Sequence, residues 1–190
     1  MELIKIDIKE FKNKIYPEYE KLFPDLERKS YKRLKDTYEN GIVDIFEIYV
    51  EENIVGFILA NHLDNNPYIQ LDYFAIFEKY QNKGYGSNAI KLLKEVYKEY
   101  EGIFIEIEKV GLGKSEVENS IREKRAKFYE NLGFNKLNFE LNLFTVIYTA
   151  YILPCNKNIF HNESIEKDIF DFYIAVLGKS RANKYCKVII

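Results

Sequence analysis

Residues Gln81-Asn82-Lys83-Gly84-Tyr85-Gly86-Ser87 are a segment whose types and spacing point at a ligand. They stand between a run expected to form a strand and a stretch with helical periodicity. The first amides of that helix would lack carbonyl partners and would offer hydrogen bonds and a partial positive charge to an anion such as a phosphate. Glycines at 84 and 86 keep β-carbons out of the way of an approaching oxygen. A tight turn feeding a helix is the plain alternative. The pattern Gly84-x-Gly86-x-x-Ala89 also fits a dinucleotide fingerprint, with Glu106 about twenty residues on, where a ribose-binding acid would stand. Against an oxidoreductase of that kind, Phe77 to Lys83 intervene after the strand, whereas a dinucleotide turn follows its strand almost directly. Gly113-Lys114-Ser115 imitates the end of a P-loop, but Glu108 occupies the position where that pattern needs its first glycine.

The elements that must position these residues are legible as periodicities. Phe11, Ile15, Tyr19 and Leu22 recur at helical spacing around Pro17, which predicts a broken first helix. Tyr31, Leu34 and Tyr38 predict a second, closed by Asn40-Gly41. Runs at Ile42–Val50 and Ile54–Ala60 flank the Glu51-Glu52-Asn53 turn as an antiparallel hairpin, and a strand at Tyr68–Ile76 follows Asn65-Asn66-Pro67. Ala89, Leu92 or Leu93, Val96 and Tyr100 predict one face of a long helix leading to a strand at Ile103–Glu108. Ile121, Arg125, Phe128 and Leu132 predict another helix, ending at Gly133. Strands at Leu137–Leu143 and Val146–Leu153 follow, then an amphipathic helix carrying Ile165, Ile169, Phe172 and Val176 on one stripe. The expected organisation is one domain over 1–153. Residues 154–190 form an extension, a helix plus a short strand, packed on the same domain or on a second copy.

Composition narrows the function. The chain has 190 residues, 47 % of them hydrophobic, enough for a substantial core. A formal net charge of -2 offers no basic field for nucleic acid. No apolar run approaches the ~20 residues that span a bilayer, so neither nucleic acid nor membrane is an expected partner, and the cytoplasm is the default location. Cys155 and Cys186 are too few for a disulfide framework, and no Cys/His spacing suggests a metal. His62 and His161 have no partner acid at a recognisable spacing and read as surface or loop residues.

Leu71-Asp72-Tyr73-Phe74-Ala75-Ile76, a polar turn, and then Gln81-x-x-Gly84-x-Gly86 resemble motif A of the GNAT acetyltransferase superfamily. Some forty residues later, Lys127-Phe128-Tyr129-Glu130-Asn131-Leu132-Gly133-Phe134 resembles its motif B. The resemblance covers about 1–153. It implies an α+β fold whose central, mostly antiparallel mixed sheet is splayed at a coenzyme cleft and flanked by helices. It implies acetyl-CoA as cosubstrate without a metal. Phe74, Ala75 and Ile76 would lie along the pantetheine arm, with Phe74 and Ile76 pairing their backbones to it. Gln81, Asn82, Lys83, Gly84, Tyr85, Gly86 and Ser87 would hold the pyrophosphate. The family's motif B often has Asn where this chain has Arg122 and a small residue where it has Arg125.

Acetyl transfer to an amine needs a group that removes a proton from an ammonium of pKa near ~10, and a carboxylate is the expected tool. Asp72 shares a strand face with Gln70, the position at which some family members carry a glutamate base. Glu106 and Glu108 share a face of the next strand. All three stay in contention, and an acid on a strand is also often a solvated sheet face. Tyr129 is the candidate to protonate the departing sulfur, because the family often places a tyrosine there; a core aromatic beside Phe128 is the alternative. The expected function is N-acetyl transfer by direct attack in a ternary complex. A module that binds acetyl-CoA without transferring anything stays open. The expected acceptor is an amine on a small molecule or a protein N-terminus, entering over the first two helices and the last strands on a side walled by Phe23–Arg28 and 155–190, and the protein is expected to be a monomer or homodimer.

Overall fold

An acid placed one residue ahead of an apolar periodic run starts the first helix. Asp7 accepts from the amides of Lys9 (2.7 Å) and Glu10 (2.8 Å), while the Glu10 carboxylate accepts from the Asp7 amide (3.3 Å). This reciprocal cap satisfies amides that the helix itself leaves without partners. The computed structural model describes residues 1–25, 27–155 and 162–189. Helix α1 (Ile8–Lys14) gives way at Ile15 to α2 (Tyr16–Leu22), with Pro17 in its first turn, where a missing amide costs nothing. Helix α3 (Tyr31–Glu39) is capped by Ser30. The strands are β1 (Glu2–Ile6), β2 (Val43–Val50), β3 (Asn53–Asn61), β4 (Tyr68–Ile76), β5 (Gly102–Glu108), β6 (Asn135–Leu143), β7 (Val146–Pro154) and β8 (Cys186–Ile189). Helix α4 (Tyr85–Val96) joins β4 to β5, α5 (Glu116–Asn131) joins β5 to β6, and α6 (Asn162–Leu177) and α7 (Lys179–Tyr185) precede β8. The protein is α+β, and hydrogen-bonded neighbours in its open mixed sheet run β1-β2-β3-β4-β5-β7-β6-β8.

The chain divides into two compact units, 1–63 with 71–96, and 64–70 with 97–190. In the first, β1-β2 and β2-β3 pair antiparallel, the latter around a turn whose Glu51 and Glu52 take φ of 44° and 64°. Phe11, Tyr19 and Phe57 are wholly buried and meet edge to face, with centroids 6.0 to 6.2 Å apart. Burying each such side chain stabilises the fold by about 1.5–3 kcal/mol. Gly56 on β3 is fixed by proximity, since a β-carbon there would lie 2.2 Å from the Ala75 carbonyl oxygen of β4. Backbone cannot yield that distance cheaply. Gly56→Ala is therefore expected to destabilise the protein by about 1–3 kcal/mol, read as a lower thermal midpoint. An unchanged midpoint would show that the two strands can part at no cost.

In the second unit, Tyr68, Ile69 and Gln70 of β4 pair parallel with Gly102, Ile103 and Phe104 of β5, while β5-β7, β6-β7 and β6-β8 are antiparallel. Beyond those three pairs β4 continues to Ile76 and β5 to Glu108. Ile165, Ile169 and Phe172 of α6 are wholly buried, and Val176 is half-buried. The Phe172 ring meets Phe104 edge on at 5.1 Å, and Asn66 donates to the Asp168 carbonyl at 2.8 Å.

Several local expectations change. Strand β1 and helix α7 have no counterpart in the periodicity reading. Helix α4 stops at Val96, which is 50 % exposed; its buried line is Ala89, Leu93 and then Tyr97, one turn apart at each step. Helix α5 buries Arg122 and Ala126 and leaves Ile121 53 % exposed. A charged residue replaces an apolar one on that inner line because two carboxylates compensate it. Among the described residues no helix is long and apolar enough to cross a membrane.

Candidate active site

The Gln81–Ser87 turn lies wholly in the first unit. After β4 a single 3-10 turn, Glu78–Tyr80, leads to Gln81, whose side-chain amide reaches back to the Ile76 carbonyl at 2.9 Å. Asn82 and Gly84 take φ of 61° and 78°, winding the chain into α4, and the Gly84 carbonyl receives the first helical bond, from Asn88 (3.1 Å). No atom lies within 4 Å of a β-carbon built on Gly84, so its glycine character answers to backbone conformation and not to crowding. The amides of Tyr85, Gly86 and Ser87 occupy the first turn, where a helix supplies no carbonyl of its own. The Lys79 and Lys83 ammoniums stand 4.6 and 5.7 Å from the Tyr80 ring centroid. Helix start and lysines together give this exposed turn a positive character suited to an anion. Phe74, Ala75 and Ile76, just upstream, are half-buried.

Asp72, also in the first unit, is ion-paired at short range with Lys29, and both side chains are largely buried. The Lys29 ammonium lies 5.5 Å from the Tyr73 ring centroid, and the Tyr73 hydroxyl donates to the Glu27 carbonyl at 2.6 Å. Asp72 thus belongs to a built cluster in which its charge is already engaged by a lysine.

The other three candidates are in the second unit. Glu108 is held by Arg122, whose Nη2 lies 2.8 Å from it and 2.5 Å from Glu118, while Nη1 donates to the Lys109 carbonyl at 3.1 Å. Arg122 Nε is buried without a partner among the described residues. Arg122 therefore clamps the start of α5 to the end of β5. Asn119, three residues before Arg122, spends its oxygen on the amides of Gly111 (3.0 Å) and Gly113 (2.8 Å). Ser115 of the apparent P-loop caps α5 by accepting from Glu118 (3.1 Å).

Glu106 sits differently. Its Oε1 accepts from the Gln70 amide at 3.1 Å and, at short range, from the Tyr173 hydroxyl. Gln70 and Tyr173 are buried. Tyr173 is the site neighbour that sequence reasoning missed: its place beside Ile169 and Phe172 on the α6 stripe was visible, its partner on β5 was not. Cys186 is buried, and desolvation, reinforced by the charge of Glu106, pushes its thiol up to about 11, so it is no nucleophile near neutral pH.

Tyr129 is wedged edge-on between Phe128 and Phe134, at centroid distances of 5.1 and 5.2 Å. The tight end of α5 sets this, with the Phe134 amide donating to the Tyr129 carbonyl at 3.1 Å. Desolvation pushes its phenol up to about 12, partly offset by Arg125. His62 has an acid neighbour that the sequence did not suggest, Asp44 at 3.4 Å, which also binds Lys5. His161 lies outside the described residues, as do Leu26 of the Phe23–Arg28 connection and residues 156–160 of the extension. Among the described residues no three His, Cys, Asp or Glu side chains are grouped as a metal would require.

With this geometry in hand, comparison with known proteins gives a consistent result. The model of the acetyltransferase (GNAT) family matches residues 8–134. No curated protein matches the sequence. A Bacteroides thetaiotaomicron structure assigned to the same family superposes with a TM-score of 0.74 at 18 % identity, covering 94 % of this chain and 99 % of the other. The aminoglycoside 6'-N-acetyltransferase complexed with coenzyme A gives 0.60 at 13 % identity, covering 84 % and 100 %. The Escherichia coli ribosomal-protein-S18-alanine N-acetyltransferase gives 0.58 at 15 %, covering 83 % and 97 %. At these identities the likeness is one of fold.

Proposed function

The chain belongs to the acetyltransferase (GNAT) family, and on that premise we propose that it moves the acetyl group of acetyl-CoA to a primary amine by direct attack, with both substrates bound together. The observation that carries the amine reading is the Glu106 carboxylate, 3.1 Å from the Gln70 side-chain amide. Gln70 occupies the position at which the resemblance implies a glutamate base in some family members. On this reading a carboxylate that the family draws from one strand comes instead from its neighbour.

The turn before α4 fits a diphosphate: two left-handed residues open it, helix amides face out of it, and two lysines flank it. Coenzyme A in the aminoglycoside 6'-N-acetyltransferase structure supports the same choice of cosubstrate. The Phe77 amide is bonded to the Val55 carbonyl at 2.9 Å. By the two-residue alternation of a strand, Phe74 and Ile76 turn their backbone groups to the edge of β4 away from β3. When bound, acetyl-CoA supplies the acetyl group as an activated thioester.

Glu106 attracts the cationic amine and takes its proton, which frees the nitrogen lone pair to form the C–N bond. Tyr129 gives a proton to the sulfur as the C–S bond breaks, and the second proton, shed by the acylated nitrogen, returns to the phenolate through water. Asp72 and Glu108, each engaged by a cation, serve structure and field. The reaction consumes acetyl-CoA, and we assign it to the cytoplasm on that ground.

A screen of amines for thiol release from acetyl-CoA, with competition among the hits, tests the reaction and finds the acceptor, whether small molecule or protein N-terminus. Saturating acetyl-CoA is expected to raise the thermal midpoint, by about 2.7 kcal/mol of stabilisation at a hundred times Kd. Gly86→Val should remove that shift and spare the fold. No shift with the wild type would end the coenzyme reading, and a shift with NAD alone would favour the dinucleotide reading. A shift without thiol release from any amine would mark a binding module.

A further inference from the structure

We propose that Tyr173 of α6 is a positioning residue for acetyl transfer, its hydroxyl fixing the Glu106 carboxylate that takes the amine's proton. The inference rests on the base role proposed for Glu106 and adds a residue from the C-terminal extension, beyond the part that resembles the family.

The geometry follows from strand and helix periods. Phe104 and Glu106 are two residues apart on β5 and share a face of the sheet. Helix α6 lays Phe172 edge-on against Phe104 at 5.1 Å, and Ile165 and Ile169 bury themselves on the same stripe. Tyr173, the next residue, comes to Glu106. Asn66, whose amide donates to the Asp168 carbonyl at 2.8 Å, limits how far the helix can slide. Tyr173 is 8 % exposed and Gln70 5 %, so neither hydrogen-bond donor is easily replaced by water.

Two donors converge on one oxygen, Oε1. They fix the carboxylate's rotation, and hydrogen bonds of this kind favour the charged form of an acid over the neutral one. Groups that face it include Gln70 from β4, Tyr173 from α6 and Cys186, whose thiol senses its charge, and Ala150 stands opposite it in the β5-β7 register. Glu108 lies two residues along the same strand, paired with Arg122.

Tyr173→Phe removes the hydroxyl and keeps the ring that packs beside Phe172. With the best amine from the screen, kcat is expected to fall roughly 10- to 100-fold through lost orientation. The acidic limb of the kcat/KM profile should move up by about one to two pH units, the scale of one hydrogen bond to a charge. The acetyl-CoA-induced rise in thermal midpoint should stay. A purely structural role would lower the midpoint and leave the position of the limb unchanged. An active wild type whose Tyr173→Phe variant keeps both kcat and the position of that limb overturns the positioning role alone. A wild type that releases thiol with no amine overturns the proposed reaction and the role with it.

Discussion

Glu106→Gln is expected to lower turnover at pH 7 by about 10²–10⁴-fold, the range for loss of a general base. The loss should shrink as pH rises toward the amine's own pKa, because the free amine then needs no help in shedding a proton. Thermal melting with acetyl-CoA should be unaffected, since the turn proposed to hold its phosphates lies in another part of the chain. The variant keeps the shape of the side chain and removes its charge, so recovery at high pH is the feature that identifies a base. Asp72→Asn and Glu108→Gln should cost much less turnover. Their carboxylates are held by Lys29 and Arg122, and their loss is expected mainly as lower stability. If Glu106→Gln keeps wild-type turnover, or stays equally impaired at all pH values, the base is elsewhere. The measurement has an upper pH bound set by the first unit. Tyr19 and Tyr73 are buried, and desolvation raises both phenols well above their ordinary value. Above pH ~10 the unfolded chain releases those protons while the folded one keeps them, so stability falls as pH rises. The rescue should be read below that point.

Tyr129→Phe should lower turnover by a similar ~10²–10⁴-fold with little change in acetyl-CoA binding. Its pH signature is the opposite of that of Glu106. The phenol is pushed up to about 12 by burial, so the proton donor is present at all lower pH. A raised value in an acid means the neutral form persists, and the deficit of the variant should be flat from pH 6 to 10. A flat deficit for one residue and a vanishing one for the other would separate the group that gives a proton from the group that takes one. If Tyr129→Phe turns over like the wild type, the residue is a wedge between Phe128 and Phe134 and the sulfur finds its proton elsewhere.

How much of this was legible in the sequence depends on how far each contact reaches along the chain. The hairpin around Glu51-Glu52, the strand-turn-helix from Tyr68 to Val96 and the end of α5 at Gly133 are local, and periodicity with turn chemistry finds them. The partners of Asp72 and Glu106 are not local. Lys29 reaches Asp72 across 43 residues and Tyr173 reaches Glu106 across 67, and nothing in the spacing of either pair marks it. Arg122 fails for another reason: a helical face read from apolar residues alone passes over an arginine buried against two acids. The wide spread of tyrosines hid Tyr173 as well, since its phenol differs from the others only in where α6 sets it down. Strand β1 is too short and too charged for alternation to separate it from a loop, and its burial comes from pairing with β2.

The bond between Tyr173 and Glu106 also sets an order of events during synthesis. The chain leaves the ribosome from its N-terminus at roughly 5–20 residues per second. Glu106 therefore emerges on the order of seconds before the hydroxyl that fixes it. In that interval the α4 turn can already form, because its contacts are nearly all local, while α6 and β8 have yet to close on β5 and β6. A nascent chain halted in that window would carry the turn proposed to hold the phosphates while Glu106 still lacked the hydroxyl that fixes it, so ligand affinity would arise in the growing polypeptide before full turnover does.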